Sequence, residues 1–411
     1  MRTVGILGAN GFVGSRIVEK FLLEETARVV PIVRNHAGLA RVARFAIEPR
    51  MADSRDEAAL TKAFEGCDIV VHATLGRYNQ IVAEPPVAYR AAEKAGVRRI
   101  VHISTASVHG QDPAPGTDET SALRMDQPVH YNNAKIKAEQ QFRALRRRGR
   151  VELVTLRPGI VFGPRDVWVS GIARRLTSGQ AYLVDGGHGI CNTTYVDNLV
   201  HAIALSLEAH VDGEVFLIGD CGAITWADLH HWIRLALPDT APPKVLMDPA
   251  IMPESRPLLD RVRGPGLLRS VLGVVPKAAK TFARTRLEIG QGMIKGARAT
   301  QAEMRRTDWV LPDTGPTQVP IETALLHRCR YKFPFARARE RLGYEPPVPL
   351  AEGLIRSIHA LRFAGFEIDP AFEEPLRKAY ARMAAKGAAL DHAPVDEPIA
   401  ASVGATTPTL V

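Results

Sequence analysis

Cysteine is scarce and scattered. Cys67, Cys191, Cys221 and Cys329 stand far apart in 411 residues, with no C-x-x-C or C-x-x-H spacing. That pattern excludes a disulfide scaffold and a zinc site of the usual spacing, and it points to a reducing compartment. No apolar run reaches the roughly 18 residues that span a bilayer. Met1-Arg2-Thr3 leads straight into an apolar run too short for a signal peptide, so the expected location is the cytoplasm. Aromatic residues make up only 6%, yet 46% hydrophobic and 24% charged residues are ordinary globular proportions. A disordered or fibrous chain is thereby excluded. The length allows two or three domains, or one large α/β domain with additions.

Acidic residues run short in one stretch. Between Ser255 and Phe335 there are 15 Lys and Arg against 6 Asp and Glu, an excess equal to the whole net charge of +9. Apolar residues accompany the basic ones, as in Leu267-Leu268-Arg269-Ser270-Val271-Leu272. Such a stretch serves as a solvated helical face, as a cap over an anionic substrate, or as a peripheral membrane contact. In the last case each basic residue contributes on the order of 1 kcal/mol on an anionic surface. No nucleic-acid recognition motif accompanies the charge, so nucleic acid is not an expected partner.

The first half alternates short β-branched runs with helical stretches. Strands are predicted at Thr3–Leu7, Arg28–Val33, Asp68–His72, Arg99–Ser104 and Val151–Leu156. Helices are predicted at Phe12–Glu24, Asp56–Phe64, Pro86–Ala95 and His130–Arg147, with Gly66 and Gly96 as left-handed caps. The alternation implies βαβ units and an α/β fold built on a doubly wound parallel sheet. Residues 1–163 are read as a dinucleotide-binding domain and 164–366 as a smaller mixed α/β substrate lobe, with the basic insertion at about 250–330. Residues 367–411 are read as a C-terminal helix and a tail, disordered after about Lys386.

The first strand runs into Gly8-Ala9-Asn10-Gly11-Phe12-Val13-Gly14, which opens the first helix. Gly8 permits the tight turn, Gly11 lets backbone approach a pyrophosphate, and Gly14 lets helix and sheet pack closely. Amides of this loop and the positive helix end then hold the anion. Where NAD-binding folds usually place an acid, at the end of the second strand, the chain reads Val33-Arg34-Asn35. Arg34 suits a 2′-phosphate, so NADP(H) is favoured and NAD(H) is the alternative.

Tyr131 and Lys135 stand at i and i+4 on a predicted helix and project from one face. A lone Y-x-x-x-K arises by chance, so its context decides. That context is Ile103-Ser104-Thr105-Ala106-Ser107-Val108-His109-Gly110 at the end of the strand run Arg99–Ser104, followed later by Leu156-Arg157-Pro158-Gly159 and Tyr195-Val196-Asp197-Asn198-Leu199. With Ala52-Asp53 and Asp68-Ile69-Val70-Val71-His72-Ala73, these motifs follow one another in an order that resembles the extended short-chain dehydrogenase/reductase family. That family holds NAD(P)-dependent epimerases, dehydratases and 3β-hydroxysteroid dehydrogenases.

The resemblance implies a Rossmann fold and roles residue by residue. Tyr131 would be the general acid/base, Lys135 its electrostatic partner and ribose ligand, and Thr105 the hydroxyl that orients the substrate oxygen. Cofactor contacts would come from Gly8, Asn10, Gly11, Phe12, Val13, Gly14, Arg34, Asp53, Ser54, Ala73, Lys135 and Pro158, with Asp53 accepting from the adenine amino group. No metal is expected, and the partner is a small-molecule substrate. Relatives commonly pair through the Tyr-bearing helix and its neighbour, which makes a homodimer the implied assembly. The chemistry is consistent with those roles. Bringing a phenol from a pKa near 10 to near 7 takes roughly 4 kcal/mol, while an exposed ion pair gives about 1 kcal/mol or less. Lys135 is therefore expected in a partly desolvated site, beside a positive nicotinamide ring.

Three departures matter. His109 replaces a tyrosine common before the glycine of its motif, and His130 is read as a half-exposed ring. Cys191-Asn192-Thr193-Thr194-Tyr195 lacks the basic residue with which nucleotide-sugar members hold a diphosphate. Asp197 and Asn198 are read as structural, capping the helix that follows. The leading function is hydride transfer between NADP(H) and a secondary alcohol or ketone. The alternative is a nucleotide-sugar epimerase or dehydratase that keeps NAD bound. A cofactor-sensing protein without turnover ranks third, because such relatives generally lose the tyrosine or the lysine.

Overall fold

A computed structural model describes residues 1–35, 41–254 and 318–387, side chains being described to residue 382. Most of the basic segment (255–317) and the tail expected to be disordered (388–411) lie outside the described residues. The chain divides into two compact units, Met1–Pro249 with Ile321–Val411, and Ala250–Pro320. Of the second, the described part is a parallel pair, Ala250–Met252 with Gln318–Pro320.

Seven parallel strands form the central sheet of the first unit: β1 (Thr3–Leu7), β2 (Arg28–Val33), β3 (Arg50–Met51), β4 (Ile69–His72), β5 (Arg99–Ile103), β6 (Glu152–Pro158) and β7 (Val215–Ile218). Their order in space is β7-β6-β5-β4-β1-β2-β3. Strands rich in Val and Ile with no polar alternation must be covered on both faces, and they are. One face packs on α1 (Phe12–Leu23), through Ile17, Val18 and Phe21. The other packs on α2 (Glu57–Phe64) and α3 (Tyr78–Lys94), through Leu60, Phe64, Tyr89 and Ala92. Helix α4 (His130–Arg146) completes that face with Phe142.

The order in which strands are added reverses between β1 and β4, and in such sheets ligands bind at the carboxyl ends beside that switch point. Gly66 (φ 72°) and Gly96 (φ 73°) take the left-handed conformation expected just past α2 and α3. Helix α3 starts at Tyr78 rather than at Pro86, and it carries Pro85 and Pro86 inside. Proline in a helix interior costs about 3 kcal/mol. Burial of Ala88, Tyr89, Ala91 and Ala92 offsets that cost, a tertiary effect invisible to local pattern. The two-residue β3 was likewise too short to show a period.

Past β6 come α5 (Val167–Thr177), α6 (Val196–Glu208), α7 (Trp226–Leu235), α8 (Ile321–Arg328), α9 (Ala336–Leu342), α10 (Leu350–His359) and α11 (Glu373–Gly387). A separate core joins α5, α7, α10 and α11 through Ile172, Trp226, Leu354 and Leu376. Helices α6 and α9 pack instead on the α1 side of the sheet. Asp197 and Asn198 are structural but do not cap α6. Tyr195 holds the cap position without a side-chain bond. Asp197 pairs with Arg16 of α1 at 2.5 and 2.8 Å, and Asn198 donates to Asp220 (2.8 Å) and to the Val348 carbonyl (2.9 Å). Both lie inside the first helical turn, where neighbours from distant segments outcompete local capping.

Candidate functional site

The loop from β1 to α1 is built for close approach. Gly8 holds φ 93°, and a Cβ there would sit 2.7 Å from the Ala73 carbonyl oxygen. A Cβ on Gly14 would fall 2.1 Å from the Gly8 carbonyl, whereas one on Gly11 would meet only that oxygen, at 3.2 Å. Gly14 therefore serves helix–loop packing, and Gly11 leaves a bare backbone where an anion can reach the amides. Phe12 and Val13 open α1, and Asn10 is exposed at the loop tip. A dinucleotide fits this cradle. Gly14→Ala should destabilise the fold by about 1–3 kcal/mol in urea denaturation. Gly11→Ala should keep the fold yet weaken dinucleotide affinity at least tenfold by calorimetry.

Arg34 is exposed just past the carboxyl end of β2. Asp53 lies within its electrostatic reach but is engaged elsewhere. Arg55 forks onto it with bonds of 2.9 and 2.8 Å, and that pairing draws the carboxyl down to about 2. Ser54 gives its hydroxyl to Glu84 at 2.6 Å. Ala73 follows β4 and bonds Leu7 through its amide (2.9 Å). Pro158 ends β6 opposite Ile218.

Lys135 is only 3% exposed and donates to the Ile103 carbonyl at 2.8 Å. That bond carries its ammonium to the end of β5, two residues before Thr105. Burial draws Lys135 down to about 8, with Glu139 and Glu84 resisting. The desolvated lysine expected from the arithmetic of the phenol is thus present. Tyr131 packs on the small cluster of Ile81, Ala134 and Ala138, and burial, then the Glu322 charge, holds its phenol above the ordinary value. The chain by itself does not lower that phenol. A bound nicotinamide cofactor accepts or supplies the hydride and, when oxidised, adds a positive ring. Thr105 is nearly buried and caps the short turn Ala106–His109, its Oγ1 accepting from Ser107 N at 3.2 Å.

A buried ionic floor under this site escaped the sequence reading. Glu139, one turn beyond Lys135, accepts from Arg157 Nε (3.0 Å) and Nη2 (2.6 Å) and from Ser104 Oγ (2.5 Å). His109 faces the same guanidinium at 3.0 Å, and burial, then that charge, holds it down at about 4. The ring that replaces the usual tyrosine is therefore neutral and lies tilted against Phe333, ring centres 5.9 Å apart. Only the i+4 spacing from Lys135 to Glu139 hinted at this floor. Glu139→Gln leaves Arg157 buried without its counter-ion and should cost about 3–5 kcal/mol of stability by urea denaturation. His130 is half-buried, as expected.

Beside Thr105 and Pro158 lies a narrow cleft lined by Ala106, Gly159, Cys191, Asp220, Lys332 and Phe333 among others. Asn192 contributes a clamp: its Nδ2 donates to the Tyr331 carbonyl (2.9 Å) and its Oδ1 accepts from Phe333 N (2.9 Å).

The family model of the NAD-dependent epimerase/dehydratase family matches residues 4–219, a span that holds the glycine loop, Thr105, Tyr131 and Lys135. The chain belongs to that family. Among curated relatives, a sterol-4-alpha-carboxylate 3-dehydrogenase (decarboxylating) of Dictyostelium discoideum is 24% identical over 236 residues, covering 54% of this chain and 72% of the relative. A farnesyl-dihydroquinoline-oxide ketoreductase of Stigmatella aurantiaca is 25% identical, covering 58% and 72%. The fold is that of the dTDP-glucose 4,6-dehydratase of Streptomyces venezuelae, solved with NAD. There the TM-score is 0.60 at 20% identity, over 92% of this chain and all of that one. Family membership makes the chain an NAD(P)-dependent enzyme with a Rossmann fold and a small-molecule substrate. Among the described residues no helix is long and apolar enough to cross a membrane.

Proposed function

We propose that the chain moves hydride between NADP(H) and a secondary alcohol or ketone on a largely apolar substrate. The observation that carries this reading is Arg34, exposed past the end of β2, where an acid would otherwise hold the ribose hydroxyls. Asp53, the nearby carboxylate, is already forked by Arg55. In this reading residues 1–163 hold most of the cofactor contacts and 164–366 the substrate. Tyr131 exchanges the proton of the substrate oxygen, Thr105 orients that oxygen, and Lys135 supplies the opposing charge. The two curated relatives, a sterol dehydrogenase and a ketoreductase, support redox chemistry on apolar molecules. The cleft supports it too. Cys191 is buried, and Asn192 spends its amide on backbone, so neither offers the cation that a sugar-linked diphosphate wants.

A second reading, a nucleotide-sugar epimerase or dehydratase with resident NAD, is favoured by one residue, Lys332 in the same cleft. The deciding experiment is to purify the chain without added cofactor, denature it, and identify the released nucleotide by mass spectrometry. An empty chain or bound NADP(H) is expected. Near-stoichiometric NAD would overturn the Arg34 argument and favour the second reading.

A further inference from the structure

Tyr131 stands second in α4, in a turn that no local cap holds. Val129 takes the cap position without a side-chain bond, and the first amides of a helix have no partners within it. What fastens this turn is a cluster of side-chain amides that the roles above leave unused. Asn132 is fully buried, Gln111 is 5% exposed, and Gln127 is half-buried. Asn132 Nδ2 donates to Gln111 Oε1 at 2.8 Å and to Gln127 Oε1 at 2.6 Å, while its Oδ1 accepts from Gln111 Nε2 at 3.2 Å. Asn133 holds the backbone of Gln127, donating to its carbonyl (2.8 Å) and accepting from its amide (3.1 Å). Gln127 Nε2 spends its two hydrogens on the carbonyls of Val108 (2.6 Å) and Arg124 (3.2 Å).

The donors allow one arrangement. Turning the Gln127 amide over would set its oxygen against two carbonyls and its nitrogen against Asn132 Nδ2. The cluster therefore has a fixed register, and it reaches across the site. Val108 belongs to the turn Ala106–His109 that Thr105 caps. Gln127 thus joins the chain neighbour of Tyr131 to the turn of Thr105 through two direct bonds. Further along α4, Lys135 donates to the Ile103 carbonyl at 2.8 Å, and Glu139 accepts from Ser104 Oγ at 2.5 Å. The segment that opens with Gln127 and runs through α4 is tied to residues 103, 104 and 108, and Thr105 lies inside that span.

We propose that Gln127, seated by Asn132, is a positioning residue that sets Tyr131 against Thr105. The proposal rests on the reading in which both hydroxyls meet the substrate oxygen. Two groups that share one oxygen must keep their separation, and a misplacement of about 1 Å costs about 10² in rate. The bonds of Gln127 run to Asn132, Val108 and Arg124, so it acts through Tyr131 and not on the substrate. A cluster that only supported the fold would add stability and leave the phenol alone.

The test needs a dinucleotide but no substrate. The full chain, labelled with carbon-13 at tyrosine Cζ, is saturated with NADP⁺, or with NAD⁺ where NAD is retained, and titrated by NMR. Tyr131→Phe identifies the Tyr131 signal. In wild type the bound oxidised dinucleotide should bring the phenol down, because the chain by itself does not. In the near-isosteric Gln127→Met, dinucleotide affinity should stay within about threefold, yet Tyr131 should titrate about one pH unit or more above wild type. A folded Gln127→Met whose Tyr131 titrates with wild type would overturn the positioning, however far its urea midpoint falls. A wild-type phenol that the dinucleotide does not move would reject the Tyr131 reading itself, and the positioning with it. Gln127→Ala, where water can satisfy the groups left behind, carries the same test if Gln127→Met does not fold.

Discussion

Tyr131→Phe should abolish turnover while leaving dinucleotide affinity within about twofold of wild type. The substitution removes one oxygen from a ring packed on the small cluster of Ile81, Ala134 and Ala138, so packing and the loop that begins at Gly8 are untouched. General acid/base catalysis is worth about 10²–10⁴ in rate. A loss of that size in consumption of reduced cofactor with an accepted ketone is the expected result. Unchanged dinucleotide binding by calorimetry would show that chemistry alone was lost. Wild-type rates would remove Tyr131 from the reaction. Lys135→Met should behave differently, losing rate and cofactor affinity together, because its ammonium is expected to serve both phenol and ribose.

Mild acid should unfold the protein well before its surface carboxylates protonate. Burial is the first cause that holds His72, His109 and His230 at about 4 and His327 at about 3. Unfolded, each imidazole titrates near 6.5. Between those values the unfolded chain binds protons that the folded chain refuses, so stability falls as pH falls. A displacement of about 2.5 units is worth roughly 3 kcal/mol per ring at full effect. Asp166, raised by burial to about 6, works the other way in this window and offsets about one ring. The net expectation is a loss of several kcal/mol between pH 6.5 and 4, read as a falling urea midpoint. A midpoint that holds steady down to pH 4.5 would mean that these rings are hydrated or paired.

Much of the sheet was legible because its signals are local. Thr3–Leu7 and Arg28–Val33 match strand for strand, and the glycines at 66 and 96 end their helices as left-handed residues must. Tyr131, Lys135 and Thr105 could be proposed from the chain because spacing and order are themselves sequence properties. What escaped depends on distant partners. Glu139 and Arg157 look like surface charges until a helix and a strand bring them together out of water. His72 and His102 are 30 residues apart and meet only because β4 and β5 pair in register. The fork of Arg55 onto both oxygens of Asp53 is a local pairing, a rotamer-level choice that no spacing encodes.

The bracing of α1 by α6 bears on how the protein can be cut. Arg16, in the helix that opens on the glycine loop, is held by Asp197, 181 residues further on. The seventh strand, β7, also arrives late, pairing with β6 from Val215 to Ile218. A fragment ending at Gly163 would carry the complete glycine loop and both Tyr131 and Lys135. It would nonetheless bare one edge of β6 and strip α6 and α9 from the face that covers Ile17 and Phe21. An open strand edge beside exposed aliphatic surface is an invitation to self-association. The nucleotide-binding half is therefore a product of three chain segments, and a gene truncated after Gly163 should yield inclusion bodies rather than a miniature enzyme.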